Sequence, residues 1–221
     1  MEYFNGENWV AGSSLTVAEN GTYQFRVTDA AGNVTTKDFV VGNIDKVAPT
    51  LEITADKTAL TNKDVVLTAA VSDGVVEYFN GTEWVAGDKL TVSENGTYQF
   101  RVTDAAGNVT TKDFVVENID KVAPTLEITS SNVNPTNQDI TLSATVSDGV
   151  VEFFNGGGIW VAGSSLTVTK NGTYQFRVTD AAGNVTTKDF VVENIDKVAP
   201  TLEITADKTA LTRPVARGAG R

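Results

Sequence analysis

The side chains able to do chemistry in this chain are almost all carboxylates. Aspartate and glutamate number 28 against 17 lysines and arginines, for a net charge of −11, and neither histidine nor cysteine occurs. Without histidine there is no Ser-His-Asp triad, no usual general base and none of the commonest zinc ligands. Without cysteine there are no disulfides or thiolate metal sites. What remains is hard oxygen. Asp45, Asp73, Asp104 and Asn108 are matched further on by Asp120, Asp148, Asp180 and Asn184. Such a donor set suits Ca²⁺, which takes about 6–8 oxygens from carboxylates, carbonyls and water. The spacing is not that of an EF-hand, because D-A-A-G-N lacks its alternating ligands. The acidic balance opposes nucleic acid and anionic membrane surfaces, both of which are bound through Lys and Arg. No apolar run reaches the roughly 18 residues of a membrane span. The opening MEYFNGENWV has neither the charged nor the apolar region of a signal peptide.

The elements that must position these oxygens are set by a repeat. NGTYQFRVTDAAGNVTTKDFVVEN at residues 95–118 recurs unbroken at 171–194, and at 20–43 with only Gly42 in place of glutamate. Tyr98, Phe100 and Val102 alternate with Gln99, Arg101 and Thr103, giving one apolar and one wet face. Asp104 and Gly107 occupy the first and fourth places of a type I turn. Residues 109–116 then form a second strand with Phe114 and Val116 on one face, completing a hairpin. Glu2, Glu77 and Glu152 stand 75 residues apart, as do Trp9 and Trp84; Trp160 comes one residue late, after Gly156-Gly157-Gly158. The junctions read NIDKVAPTLEIT from Asn43, Asn118 and Asn194, and Pro49, Pro124 and Pro200 suit a linker or strand start. Boundaries just before these prolines make 1–46 the C-terminal part of a repeat and 47–121 and 122–197 complete repeats. Residues 198–212 are the first strand of another, and 213–221 form a basic non-repeat tail. The chain reads as a piece of something longer.

About seven short strands fit within 47–121. Leu51 and Ile53 share a face of the first. In the second, Val65, Leu67, Ala69 and Val71 are the inner set, because their counterparts Ile140, Leu142, Ala144 and Val146 stay apolar while the alternate positions become Thr and Ser. Residues 75–79, 83–86 and a strand marked by Leu90 and Val92 follow, with Asn80-Gly81 and Asn95-Gly96 as turn signals. Short strands with turns every 8–12 residues predict an all-β fold of tandem β-sandwiches.

The T-D-A-A-G-N hairpin together with the D-K-V-A-P junction resembles the tandem bacterial Ig-like domains of large surface proteins and adhesins. The resemblance covers residues 1 to about 212. It implies Ig-like sandwiches of about seven strands arranged end to end, at the bacterial cell surface or outside it, acting as a stalk or spacer. Tyr23, Tyr98 and Tyr174 match the tyrosine-corner position at the start of strand F. The inter-sheet cysteines are missing, so the chain is Ig-like rather than antibody-like.

In such a sandwich the entering linker, the B–C loop and the F–G loop share one pole. That gathers Asp45, Asp73, Asp104 and Asn108 at one complete junction, and Asp120, Asp148, Asp180 and Asn184 at the next. The related adhesins often carry calcium there, so one Ca²⁺ per complete junction is expected. Residues 1–46 keep Asp29 and Asn33 without their partners and should not bind. The plainer reading makes Asp104 a turn residue, Asp73-Gly74 a hairpin turn and Asp45 a solvated charge. Tyr78, Phe79 and Trp84, with Phe153, Phe154 and Trp160, are core packing first and a sugar platform second. Two Asn-x-Thr matches, at Asn95 and Asn108, fall where turns already ask for Asn. Asp and Glu pairs exist, but without histidine, cysteine or a segment that breaks the repeat to build a pocket, the chain is not expected to be an enzyme. The expected partners are neighbouring repeats and, in the alternative reading of an adhesive module, a glycan or host surface protein. Residues 1–46 lack two strands, which predicts disorder there, or a strand-swapped contact with another chain.

Overall fold

The computed structural model describes residues 1–205, and every regular element among them is a β-strand. The chain divides into two compact units, the first Met1–Val122 with Ala181–Gly183, the second beginning at Ala123.

In the first unit, residues 1–46 carry β1 (Glu2–Phe4), β2 (Trp9–Ala11), β3 (Gly21–Thr28) and β4 (Val34–Val41). They form one antiparallel sheet in the order β2-β1-β3-β4. Next come β5 (Leu51–Ala55), β6 (Val65–Val71), β7 (Val75–Phe79), β8 (Trp84–Ala86), β9 (Lys89–Val92), β10 (Gly96–Thr103) and β11 (Val109–Val116). These seven make two sheets, β5-β6-β9 and β11-β10-β7-β8. The second unit repeats the pattern with β12 (Leu126–Ser130), β13 (Ile140–Val146), β14 (Val150–Phe154), β15 (Trp160–Ala162), β16 (Ser165–Val168), β17 (Gly172–Thr179) and β18 (Val185–Val192). Its sheets are β12-β13-β16 and β15-β14-β17-β18.

Period-two alternation decides what lies between the paired sheets. Val65 and Leu67 from one sheet meet Phe100, Val102 and Val116 from the other in a single apolar cluster. Val65, Leu67, Phe100 and Val102 are wholly inaccessible, and burying each such side chain is worth about 1.5–3 kcal/mol. Ile140, Leu142, Phe176 and Val178 do the same in the second unit. The inner set read from the alternation is therefore the observed core. Tyr98 donates its hydroxyl to the Glu94 carbonyl at 2.8 Å, and Tyr23 and Tyr174 do likewise four residues upstream. Burial, seconded by the Glu94 charge, pushes the Tyr98 phenol above its ordinary pKa.

Four details depart from the sequence reading. Asp73-Gly74 is not a hairpin turn, because β6 and β7 lie in different sheets. Gly74 carries the chain across with φ +90, where a Cβ would stand 2.5 Å from the Thr103 carbonyl oxygen, so only glycine fits. Asn80-Gly81 is part of a four-residue loop between Phe79 and Trp84, closed by Asn80 Oδ1 accepting from the Thr82 and Glu83 amides. Residues 1–46 form a regular sheet, because every ladder in it pairs strands of that segment. Residues 198–205 form no strand, and Leu202 and Ile204 are more than four-fifths exposed. The counterpart strands β5 and β12 are held by β6 and β13, whose equivalents do not occur among the described residues. Residues 206–212 and the tail 213–221 lie outside the described residues.

Candidate functional site

The sequence places its oxygens where one repeat hands over to the next, and in the first unit residues 43–52 show that passage in full. On the upstream side Asn20 brackets Ile44, its Oδ1 accepting from the Ile44 amide at 2.9 Å and its Nδ2 donating to the Ile44 carbonyl at 2.8 Å. On the downstream side Asn108 Nδ2 donates to the carbonyls of Asp45 at 3.3 Å and Val47 at 3.4 Å. Thr110 Oγ1 donates to the buried Pro49 carbonyl at 2.6 Å, and Lys112 Nζ reaches the Leu51 carbonyl at 3.4 Å and the Glu52 carboxylate at 3.0 Å. Lys46 stands between the two linker carbonyls that Asn108 holds.

Asn108 is held by the turn that carries it. Between β10 and β11 the Asp104 and Asn108 backbones pair at 3.1 Å, the Gly107 amide donates to the Asp104 carbonyl at 3.2 Å, and Gly107 takes φ +89. This is a type I turn closed by a left-handed glycine, the three-residue hairpin loop. Asp104 Oδ1 accepts from the amides of Ala106 at 2.9 Å and Asn108 at 2.8 Å, while Oδ2 accepts from Asn108 Nδ2 at 2.8 Å. That side-chain bond from Asn108, helped by the turn amides, holds the Asp104 carboxyl below its ordinary pKa. Asp29 and Asn33 build the same turn in residues 1–46, with the same lowering of Asp29.

The other expected donors are engaged elsewhere. Asp45 turns its carboxylate back on the Val47 amide at 3.0 Å, so only its carbonyl meets Asn108. Asp73 Oδ1 accepts from Ser72 Oγ at 3.3 Å. Asp120, in the first unit, accepts from the Val122 amide at 2.9 Å. In the second unit Asp180 accepts the Asn184 amide and Nδ2 at 2.8 Å each, and Asp148 accepts from Ser147 at 3.4 Å. Asp104, Asn108 and the Asp45 backbone thus converge. At the first junction the expected carboxylates do not gather around one point.

This donor set does not fit a calcium ion, which needs about 6–8 oxygens with several charges among them. At the first junction both Asp104 carboxylate oxygens are already bonded, the Asp45 carboxylate is turned back on the Val47 amide, and Asn108 presents nitrogen to the carbonyls. Among the described residues no three acidic side chains stand close enough together to hold an ion.

The aromatic candidates are accounted for by packing. Tyr78 turns inward against Phe100, ring centroids 6.2 Å apart, whereas Phe79 and Trp84 meet on the outer face at 5.5 Å. Arg101 lies 4.4 Å over the Trp84 ring and bonds Glu77 at 2.6 Å, so its guanidinium occupies the ring face a sugar would stack on. Trp9 and Trp160 carry the same arginine lid.

Sequence reading missed a set of asparagines. Asn95, whose Asn-Gly pair reads as a turn signal, brackets Ile119 through both its amide and its oxygen at 2.8 Å, and Asn171 brackets Ile195 at 2.9 Å. Asn118 Nδ2 holds the carbonyls of Lys57 and Ala59 at 3.1 and 2.8 Å, and Asn194 holds those of Asn132 and Asn134 at the same distances. A short parallel bridge, Thr61 to Ile119, lies beside it. The available signal was that Asn95 and Ile119 recur together, 24 residues apart, in all three copies.

No family model and no curated protein matches the chain. Among solved structures, one described as giving insight into host cell surface retention of a 1.5-MDa bacterial ice-binding adhesin is similar over 76% of this chain and 71% of that one. The identity is 19% and the TM-score 0.41. At that score the likeness decides neither family nor activity.

Proposed function

We propose that this chain is a spacer segment of an extracellular bacterial surface protein, built from tandem Ig-like sandwiches. The observation that carries the reading is the joint at residues 44–47, where Asn20 bonds Ile44 from one side and Asn108 bonds Asp45 and Val47 from the other. A linker tied this closely has little freedom to bend, which is what a stalk needs and a flexible tether lacks. The surface placement rests on the resemblance of the hairpin and junction motifs. The arginine-covered tryptophans fit a spacer better than a glycan platform, and no catalytic role is proposed. Small-angle scattering of the whole chain, with binding to arrays of glycans and matrix proteins, tests it. An elongated particle that binds none of them is expected. Specific, saturable binding of an array member would replace the spacer with an adhesive module, and a compact or freely bending particle would remove the stalk.

A further inference from the structure

The oxygens at the first junction surround something, and that something is a nitrogen. Asp104 Oδ2, the Asp45 carbonyl and the Val47 carbonyl lie 2.8, 3.3 and 3.4 Å from Asn108 Nδ2. Three oxygens converging from a turn and a linker are a cation-like setting, yet the group at their centre is a neutral amide donating its two hydrogens. We propose that the Asn108 carboxamide is itself the latch of this joint, standing where a bridging cation would stand and making the linker's attachment independent of metal.

Three features support it. The carboxylate is spent within the turn: Asp104 accepts two backbone amides and Asn108 Nδ2, which fixes the rotamer aiming that nitrogen at the linker. Asp45, the other carboxylate of the passage, bonds the Val47 amide and shapes the linker so that its own carbonyl faces Asn108. Asn33 supplies an internal control, since it makes the same bonds to Asp29 and holds no linker carbonyl among the described residues. A carboxylate at position 108 would set an acceptor against the Asp104 carboxylate and two carbonyls, an arrangement that at neutral pH a bound cation would stabilise. The inference goes beyond the spacer reading, because it concerns how the joint is held and applies equally to an adhesive module.

Trypsin supplies the test, because Lys46 is exposed and lies between the two linker carbonyls that Asn108 holds. The full chain is digested with calcium chloride or with EDTA, and cleavage after Lys46 is followed by mass spectrometry, with tryptophan emission verifying that each variant is folded. Wild type should be cut at the same rate in both conditions. Asn108→Ala should be cut about fivefold faster in both, the effect of losing one net hydrogen bond on the open population. Asn33→Ala should match wild type. Asn108→Asp should be cut fast in EDTA and slowed by calcium. Calcium protection of wild type, or an Asn108→Ala rate equal to wild type, would overturn the proposal. So would an Asn108→Asp variant as resistant in EDTA as wild type.

Discussion

Residues 20–43 and 95–118 differ at one position, yet the first stretch stands in a single sheet and the second inside a two-sheet body. Their hairpins are the same: β3 pairs with β4 and β10 with β11 over eight residues in identical register. The outer-face stacks are the same too, with arginine 4.4 Å over tryptophan in each. What changes is the inner face. Val102 is inaccessible, whereas Val27 is 46% exposed and Phe39 64% exposed. Asp104 is buried and Asp29 exposed. The counterpart of β9, residues 14–17, forms no strand, because β9 pairs with β6 and residues 1–46 contain no such partner. Local pairing suffices to draw the hairpin and its sheet. The opposing sheet supplies the core and the setting of the turn.

The comparison breaks most visibly at its central phenylalanine. Phe100→Ala should cost about 3–5 kcal/mol, read as lost hydrogen-exchange protection through β10 and its neighbours, while Phe25→Ala should cost about 1 kcal/mol or less. Equal losses would mean that residues 1–46 have an opposing layer in solution. The asparagine brackets come next. Asn95→Ala strands the amide and carbonyl of the buried Ile119 and should destabilise by about 1–3 kcal/mol, whereas Asn20→Ala, beside a more accessible Ile44, should cost less in the same thermal melts. Acid supplies a finer test. The folded Asp104 pKa lies below the ordinary 3.8, so this carboxylate contributes stability that is fully present above that value and lost as pH falls through the folded one. Wild type should therefore lose stability more steeply below pH 3.8 than Asp104→Asn does, a difference that disappears near neutrality. The smallest effect is expected of Lys112→Ala, whose half-exposed pair with Glu52 is worth about 0–1 kcal/mol.

Much of this was legible because the repeat supplied its own controls. The alternation of Val65, Leu67 and Ala69, repeated by Ile140, Leu142 and Ala144, marks the inner face in the sequence itself. Asp104 and Gly107 announced their turn through residue preferences that act within four positions. The asparagines were not legible in that way. Asn95 precedes glycine and looks like any hairpin signal, but its partner lies 24 residues on, and only the fold brings Ile119 to it. At the first junction the placing of the carboxylates was hidden for a related reason. Sharing a pole does not make side chains converge, and Asp45 and Asp73 each found a nearer donor in Val47 and Ser72.

The side-by-side course of β5 and β11 has a mechanical consequence. Pro49 and Leu51 face Thr110 and Lys112 in the same order, so the strand that enters the body and the strand that leaves it run parallel. Thr61 and Ile119 add a parallel bridge where the chain departs. Tension applied at the two ends pulls these strands past each other, and the bonds between them must yield together in shear instead of peeling apart one by one.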